Sequence, residues 1–263
     1  MDEAKKQFQM AFEAAPPEAA LPLWERSSSE CLRVNFGSWK GRGLPPEWLF
    51  RLFFGARPVD AGWDGSPRGC PVSTRFLPAL RVLEAAVQLP PNAVHVIAMD
   101  GRAAAGKTTL TRQLAVILEA GVVQMDDFFL PAEFRTPERY ATPGGNVHYE
   151  RFVSEVLPRL RDGGPFAYRA FDCSRMAIGE EVEVKAAPWR IVEGAYSLHP
   201  DFGEYAELGI FCDISPEEQE RRIRVRNGEE RWKMFQTRWI PLEELYIREC
   251  KVIQRAKVVL EAK

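Results

Sequence analysis

The sequence predicts an α/β fold, in which helices cover a mostly parallel sheet, and three observations favour it. From residue 93 onward, segments with the apolar pattern of buried strands alternate with segments of helical periodicity. A glycine-rich turn, Gly101-x-x-x-x-Gly106-Lys107-Thr108, joins one of these strands to the following helix. Acidic residues follow two of the strands at their carboxyl ends, which is where open α/β sheets bind their ligands.

Residues 1–92 precede this alternation and are predicted to form a mainly helical extension. Helices are expected over 3–14, from Pro45 across Trp48, and over 77–88. Four of the seven tryptophans lie in this segment, which indicates a folded structure. Its role is left open between packing on the core domain, recognition of a partner, and formation of a homo-oligomer.

Residues 93–263 are assigned to one α/β domain whose elements follow in regular succession. Strands are predicted at 94–99, 121–125, 188–192, 208–212 and 257–260, and helices at 107–119, 149–162, 216–226, 229–238 and 242–255. Ser215, Pro216 and Glu218 have the spacing of a capping box at the start of one helix. Segments 166–171 and 181–185 are expected to form a small β-ribbon apart from the sheet.

The turn after the first of these strands contains the residue types that a phosphate-binding loop (P-loop) requires. Its glycines let backbone N–H groups converge on an anion, and the N-terminus of the following helix adds to the attraction. Lys107 is expected to reach the β- and γ-phosphates of a nucleotide, and the Thr108 hydroxyl to ligate Mg²⁺. The predicted nucleotide-binding residues are Gly101, Arg102, Ala103, Ala104, Ala105, Gly106, Lys107, Thr108 and Thr109.

This loop predicts a three-layer α/β/α sandwich of the P-loop NTPase type, which uses ATP or GTP together with Mg²⁺. The side chain of Arg102 is expected either to lie over the nucleotide or to point to solvent. The alternative interpretation of the motif is a strand-to-helix turn that binds no ligand.

Three carboxylates follow predicted strands: Asp126 and Asp127 after the second, and Glu193 after the third. A phosphoryl-transfer site needs one carboxylate to hold Mg²⁺ and another to orient the acceptor hydroxyl. We therefore predict Thr108, Glu193 and Asp126 as the metal site, and Asp126 with Lys107 as catalytic residues. The alternative for each acid is a local role, in capping a turn or beginning a loop.

A dense group of arginines lies on the helix predicted at 216–226 and just beyond it: Arg221, Arg222, Arg224, Arg226 and Arg231. Arginine is suited to holding a transferring phosphoryl group. Arg222 and Arg226 lie one turn apart on one face and are predicted to be catalytic. Gly228 interrupts the segment and predicts a lid, at about 222–238, that closes over the nucleotide. The alternative is a solvated face whose arginines pair with neighbouring glutamates.

Bulk properties exclude several other classes of protein. The net charge of −2 gives no basic field for nucleic acid or an anionic membrane. The five cysteines never form a Cys-x-x-Cys pair, which predicts a reduced, cytoplasmic protein without a structural zinc site. No apolar run approaches the ~20 residues that span a bilayer, and the first residues lack the apolar segment of a signal peptide. The expected partner is a small molecule, not nucleic acid or a membrane.

The order of these motifs resembles that of the uridine kinase and phosphoribulokinase group of P-loop kinases. The resemblance covers about 93–263 and rests on residues 101–109, 125–129, 143–146, 168–175, 192–194 and 211–213, the last leading to Arg222 and Arg226. It implies that Asp126 orients the acceptor hydroxyl, that Thr108 and Glu193 belong to the magnesium site, and that the two arginines contact phosphates. The substrate-binding residues by this resemblance are Asp127, Phe128, His148, Tyr168 and Arg175.

Two departures from the family pattern fall on the acceptor side. Cys173 stands where pyrimidine nucleoside kinases usually carry a histidine. Near Asn146, where an acidic residue often contacts the ribose in that family, this chain has His148. The prediction is therefore an ATP-dependent phosphotransferase acting on a hydroxyl of a nucleoside or nucleoside-like molecule. The alternatives are a kinase for pantothenate, nicotinamide riboside or a sugar, and a nucleotide-binding switch or ATPase with residues 1–92 as effector.

Overall fold

The computed structural model describes residues 77–86, 88–90 and 93–262, together with the backbone of four short strands that precede them. The chain divides into two compact units, Met1–Gln88 and Leu89–Lys263. None of the described helices combines the length and the apolar character that crossing a membrane requires. The P-loop and the predicted site residues all belong to the second unit.

The described strands of the first unit form a four-stranded antiparallel sheet. They are β1 (Glu13–Ala14), β2 (Trp24–Arg26), β3 (Cys31–Asn35) and β4 (Arg68–Ser73), in the order β1-β4-β3-β2. Helix α1 (Leu77–Ala86) follows β4 and confirms the helix predicted over 77–88, which ends two residues earlier than expected.

This antiparallel sheet differs from the mainly helical extension that the sequence predicts. Strand β1 occupies the end of the helix predicted over 3–14 and pairs with the start of β4. The pairing joins segments far apart in the chain, so local periodicity cannot indicate it. Strand β4 also contains Gly69 and Pro71, which are uncommon within strands. The rest of the helix over 3–14, and the helix predicted from Pro45, lie outside the described residues.

A five-stranded sheet, parallel throughout, is the framework of the second unit and confirms the predicted α/β fold. The strands of this unit are β5 (His95–Gly101), β6 (Gly121–Gln124), β7 (Phe166–Asp172), β8 (Ala177–Val184), β9 (Trp189–Glu193), β10 (Leu208–Ile214) and β11 (Val258–Ala262). The parallel sheet has the order β11-β10-β5-β9-β6, while β7 and β8 form the predicted antiparallel ribbon. The strand order reverses at β5, and ligands bind beyond the carboxyl ends of strands at such a point.

The helices of this unit occur where they are predicted, with one unpredicted addition at Pro137–Ala141, and two of the predicted helices, 149–162 and 242–255, are each divided in the structure. They are α2 (Lys107–Ile117), α3 (Pro137–Ala141), α4 (Tyr149–Glu155), α5 (Leu157–Leu160), α6 (Pro216–Met234), α7 (Ile240–Glu249) and α8 (Val252–Arg255). The helix predicted over 149–162 divides into α4 and α5 because Pro158 has no N–H to continue the ladder. Gly228 breaks α6 with a φ of 79° and a ψ of 172°. Lys251, with a φ of 51°, separates α7 from α8.

The core lies against the parallel sheet and fixes its central strands. Every residue of β5 is buried, and β9 is buried except at its first residue. Next to the sheet, the rings of Phe128, Phe152, Tyr168 and Phe202 pack as an aromatic cluster. The loops at the carboxyl ends of β5, β6 and β9 therefore project from rigid supports, as a site with demanding geometry requires.

Candidate active site

The P-loop leaves β5 through a turn that only glycine can make. Gly101 has a φ of +138°, and a Cβ atom there would lie 2.1 Å from the carbonyl oxygen of Cys212 on the adjacent strand. The next amide, that of Arg102, donates to this same carbonyl at 3.1 Å. Gly106, with a φ of +92°, completes the loop and starts α2. The loop backbone is thus held against β10 before any ligand binds.

Lys107 lies at the first position of α2 and its side chain folds back across the loop. Its Nζ donates to the carbonyl oxygens of Gly101 at 2.6 Å and Arg102 at 2.9 Å. The side chain is buried, and the ammonium group borders the cavity described below. This arrangement places a positive charge next to the loop amides, which is where the chemistry of a P-loop needs it.

Parallel pairing brings the predicted metal-site residues together. In the register of the sheet, Glu193 at the end of β9 pairs with Met99, two residues before the P-loop. The Thr108 hydroxyl donates to Oε1 of Glu193 at 3.0 Å. Burial raises the pKa of Glu193, while the Thr108 hydrogen bond and the charge of Lys107 oppose this shift.

Asp126 reaches the same place from the neighbouring strand. Strand β6 ends at Gln124 and continues into a single tight turn, Met125–Phe128, which carries Asp126. Asp126 borders the cavity and is exposed to solvent there. Partial desolvation raises the pKa of Asp126, and the charges of Lys107 and Arg226 oppose the shift.

Together these groups border a cavity of about 530 Å³. The predicted site residues along its wall are Ala103, Ala104, Ala105, Gly106, Lys107, Thr108, Thr109, Asp126, Glu193, Arg222 and Arg226. Within the described part of the chain, no three His, Cys, Asp or Glu side chains converge on one metal-sized space. The donors of Thr108 and Glu193 nevertheless suit Mg²⁺, since this ion usually takes one or two protein oxygens and completes its shell with water and phosphate.

Helix α6 brings its arginines to the P-loop. Nη1 of Arg222 donates to the carbonyl oxygen of Ala104 at 3.2 Å, and its Nε pairs with Glu218. Arg226 borders the cavity just before the break at Gly228. The residues predicted as a phosphate-contacting lid thus lie beside the loop, on a helix that changes direction within the predicted lid.

The lining of the cavity also includes aromatic rings and buried polar groups that the sequence analysis did not assign to the site. The rings of Phe129 and Trp239 lie 6.5 Å apart between centroids, and Phe235 borders the same space. Asn146 is buried there, and among the described residues its Oδ1 has no hydrogen-bond donor. Tyr196, next to it, is equally buried and has an unusual positive φ of 75°. These residues come from separate segments of the chain, so local periodicity in the sequence does not indicate that they meet.

Asp100, the last residue before the P-loop glycine, ties the loop to the segment that follows β9. Its Oδ1 accepts from the amides of Gly101 at 2.7 Å and Tyr196 at 3.1 Å. Its Oδ2 accepts from the Leu198 amide at 2.8 Å and the Tyr246 hydroxyl at 2.7 Å. Burial raises the pKa of Asp100 and these donors lower it, but both oxygens are fully engaged as acceptors. The sequence feature that could have indicated this role is an aspartate within a strand that is mostly apolar.

The predicted substrate-binding residues lie elsewhere than the cavity wall. Phe128 lies in the aromatic core, whereas Phe129, the residue after the turn, borders the cavity. Asp127 accepts a hydrogen bond from the Tyr168 hydroxyl at 2.6 Å. This bond links the turn Met125–Phe128 to strand β7. His148 contacts Glu150 and the ring of Phe134, at the start of α4.

Two further arginines differ from the predicted roles. Arg175 is exposed in the turn between β7 and β8, where its amide donates to Asp172. The Arg102 guanidinium neither lies over the loop nor points freely to solvent, because it pairs with Asp213 at 2.8 Å and with Glu244. Arg102 therefore contributes to the P-loop through its backbone and not through its side chain.

Comparison with known proteins establishes the fold. No protein-family model matches the chain, and no curated protein matches it in sequence. A solved structure of a possible uridine kinase from Bacillus stearothermophilus has a TM-score of 0.53 and 17% identity, over 68% of this chain and 95% of that one. A candidate fructose transport system kinase from Silicibacter sp. TM1040 has a TM-score of 0.48 and 20% identity, over 69% and 97%. The first of these establishes that the chain has the fold of a P-loop kinase.

Proposed function

We propose that the chain is a small-molecule kinase that transfers the γ-phosphoryl group of ATP or GTP to a hydroxyl of a nucleoside or nucleoside-like molecule. One observation carries the proposal: the P-loop, the Thr108–Glu193 pair and Asp126 border a single cavity that has room for a further ligand. A P-loop alone fits any NTPase. A second carboxylate facing the loop is what transfer to an alcohol additionally needs.

In this mechanism the protein mainly positions groups and neutralises charge. Lys107, Arg222 and Arg226 face the developing negative charge on the phosphoryl oxygens. Asp126 accepts a hydrogen bond from the acceptor hydroxyl and so orients the hydroxyl oxygen toward the γ-phosphorus. In a loose transition state this orientation is a larger contribution of Asp126 than proton transfer. Thr108 and Glu193 would hold Mg²⁺, which supplies further positive charge when bound.

Replacing Glu193 by glutamine is expected to weaken the effect of Mg²⁺ on nucleotide binding about tenfold, because the amide keeps an oxygen but loses the charge. The measurement is the affinity for ADP with and without Mg²⁺, by calorimetry. Glu180→Gln, an exposed acid on β8, is the matched control. An unchanged Mg²⁺ effect in the Glu193 variant would remove this residue from the metal site.

The acceptor is proposed to contact the aromatic and amide wall. Phe129, Phe235 and Trp239 offer flat surfaces to a ring, and Asn146 offers an unused hydrogen-bond acceptor. These features support a cyclic compound with hydroxyl groups, such as a nucleoside. Cys173 is exposed in the turn of the ribbon, so a base-reading role in place of the family histidine has no support. Other hydroxyl metabolites therefore stay as the alternative acceptors.

Replacing Asn146 by alanine is expected to raise the KM for the acceptor about tenfold while the KM for the nucleotide stays within about twofold. The loss of one hydrogen bond in a buried site accounts for this size. Steady-state kinetics with each substrate varied in turn measure the two constants. Ser154→Ala, on the exposed side of α4, is the control. Equal rises in both KM values would indicate a general structural role for Asn146.

The function is tested by incubating the protein with γ-labelled ATP or GTP and Mg²⁺, with and without candidate acceptors. The panel contains pyrimidine and purine nucleosides, nicotinamide riboside, pantothenate, ribose and fructose. We expect negligible hydrolysis without an acceptor, and transfer of label to one chemical class. Rapid hydrolysis that no hydroxyl compound alters would instead favour a nucleotide-binding switch or ATPase.

A further inference from the structure

One of the P-loop amides donates a hydrogen bond to a buried carboxylate. Glu243 lies on α7, its side chain is 6% exposed, and its Oε2 accepts from the Ala103 amide at 3.0 Å. It also borders the cavity. No described residue donates a hydrogen bond to its other oxygen. Glu243 belongs to none of the sequence motifs, and it has no role in the proposed phosphoryl transfer.

The carboxylate of Glu243 would lie beside a bound polyphosphate. Loop amides such as that of Ala103 are the groups with which a P-loop surrounds phosphate oxygens. In the free protein the Ala103 amide donates its hydrogen bond to the Glu243 carboxylate. When a nucleotide enters, an ionised Glu243 would lie next to added negative charge in a desolvated site, and two neighbouring anions of this kind do not both stay ionised.

The surroundings of Glu243 determine how easily it accepts a proton. The charges of Lys107 and Arg102 favour the ionised form, as does the Ala103 amide, while burial and the charge of Asp100 disfavour it. Tyr196 faces Glu243 from the segment after β9. The balance raises the pKa of Glu243 to about 7 in the free protein. Bound phosphates would interact with the Lys107 charge, so Lys107 would stabilise the ionised form of Glu243 less than it does in the free protein.

We propose that Glu243 takes up one proton from solvent when a nucleotide binds, and keeps the Ala103 amide as a neutral carboxylic acid. This inference rests on the proposed function only in assuming that the P-loop binds a nucleotide. The O–H formed at Glu243 can then donate to a phosphate oxygen in the cavity. Nucleotide affinity is consequently linked to pH.

The direction of the pH effect follows from this uptake. Below pH 7 Glu243 is mostly neutral before binding, so little proton is taken up and affinity is nearly independent of pH. Above pH 7 uptake approaches one proton per site, about 0.9 at pH 8 for a pKa of about 7. The association constant should therefore fall by up to about tenfold per pH unit above pH 7.

The test is calorimetry of ADP with Mg²⁺ at pH 6 and pH 8, each in two buffers of different ionisation enthalpy. Proton uptake is obtained from the difference between the buffers. We expect the wild type to take up at least about 0.5 proton more at pH 8 than at pH 6. Glu243→Gln keeps a carbonyl acceptor for the Ala103 amide and should lose this difference. Glu249→Gln, an exposed acid on the same helix, should behave as the wild type.

Two results would overturn the inference. One is equal proton uptake by the wild type at the two pH values, which needs no variant and is therefore independent of whether Glu243→Gln folds. The other is an equal pH effect in the wild type and a folded Glu243→Gln. Both require that ADP binds, so they leave the proposed function intact. Absence of any ADP binding by the wild type would overturn the proposed function and this inference together.

Discussion

Asp126→Asn is expected to lower the turnover number of phosphoryl transfer by about 100-fold or more, at the lower end of what a positioned acid–base group contributes. Asparagine has nearly the same shape, so the turn Met125–Phe128 should keep its conformation. It cannot accept a proton, and its amide can present an N–H to the acceptor hydroxyl instead of an oxygen. Partial desolvation raises the pKa of Asp126, which makes the native carboxylate a better proton acceptor than an aspartate with an ordinary pKa.

The same substitution should leave nucleotide binding almost unchanged, and this separates a catalytic role from a structural one. In the proposed mechanism the P-loop, Lys107 and the arginines hold the phosphates, whereas Asp126 contacts the acceptor; all of these residues border the cavity. Turnover is measured with the acceptor found in the screen, and ADP affinity by calorimetry. Glu133→Gln, an exposed acid just beyond the turn, is the control. Full activity in Asp126→Asn would remove this residue from the mechanism.

The parts of the site that the sequence predicted are those set by local pattern. Asp126 and Glu193 each follow a short buried strand, and parallel strands place their carboxyl ends at one edge of the sheet. The P-loop is contiguous, so its glycines and Lys107 could be assigned directly. Arg222 was placed correctly beside the loop because helical spacing determines which face it shares with Arg226.

The parts that the sequence did not predict depend on tertiary contacts or on irregular turns. In the single turn Met125–Phe128 neither strand nor helix period applies, and the prediction selected Phe128 where Phe129 borders the cavity. Glu243 and Asn146 reach the site from segments whose local pattern is that of an ordinary helix and loop. Arg102 was assigned by its place in the motif, whereas its ion pairs with distant acids determine its orientation.

Asp100→Ala should reduce the free energy of unfolding by about 3–5 kcal/mol, because it leaves several buried donors without an acceptor. Three of these donors are backbone amides, of Gly101, Tyr196 and Leu198, and the fourth is the Tyr246 hydroxyl. Each unsatisfied buried group costs about 1–3 kcal/mol, and local relaxation recovers part of the sum. Unfolding in urea, followed by tryptophan fluorescence and by circular dichroism, measures the loss. Asp162→Ala, which changes an exposed aspartate, is the control.

The location of Asp100 predicts that this loss of stability is accompanied by a loss of nucleotide affinity. Its two oxygens join the first P-loop glycine to the segment that carries Tyr196, and through Tyr246 they join both to α7. Without the Asp100 hydrogen bonds the P-loop amides are less well ordered before binding. Ordering them then costs part of the free energy of nucleotide binding, which lowers the affinity. We expect ADP to bind at least about tenfold more weakly to folded Asp100→Ala than to the wild type. Unchanged affinity in a folded variant would mean that the loop is held by its glycines and by β10 alone, and that Asp100 contributes only to the stability of the core.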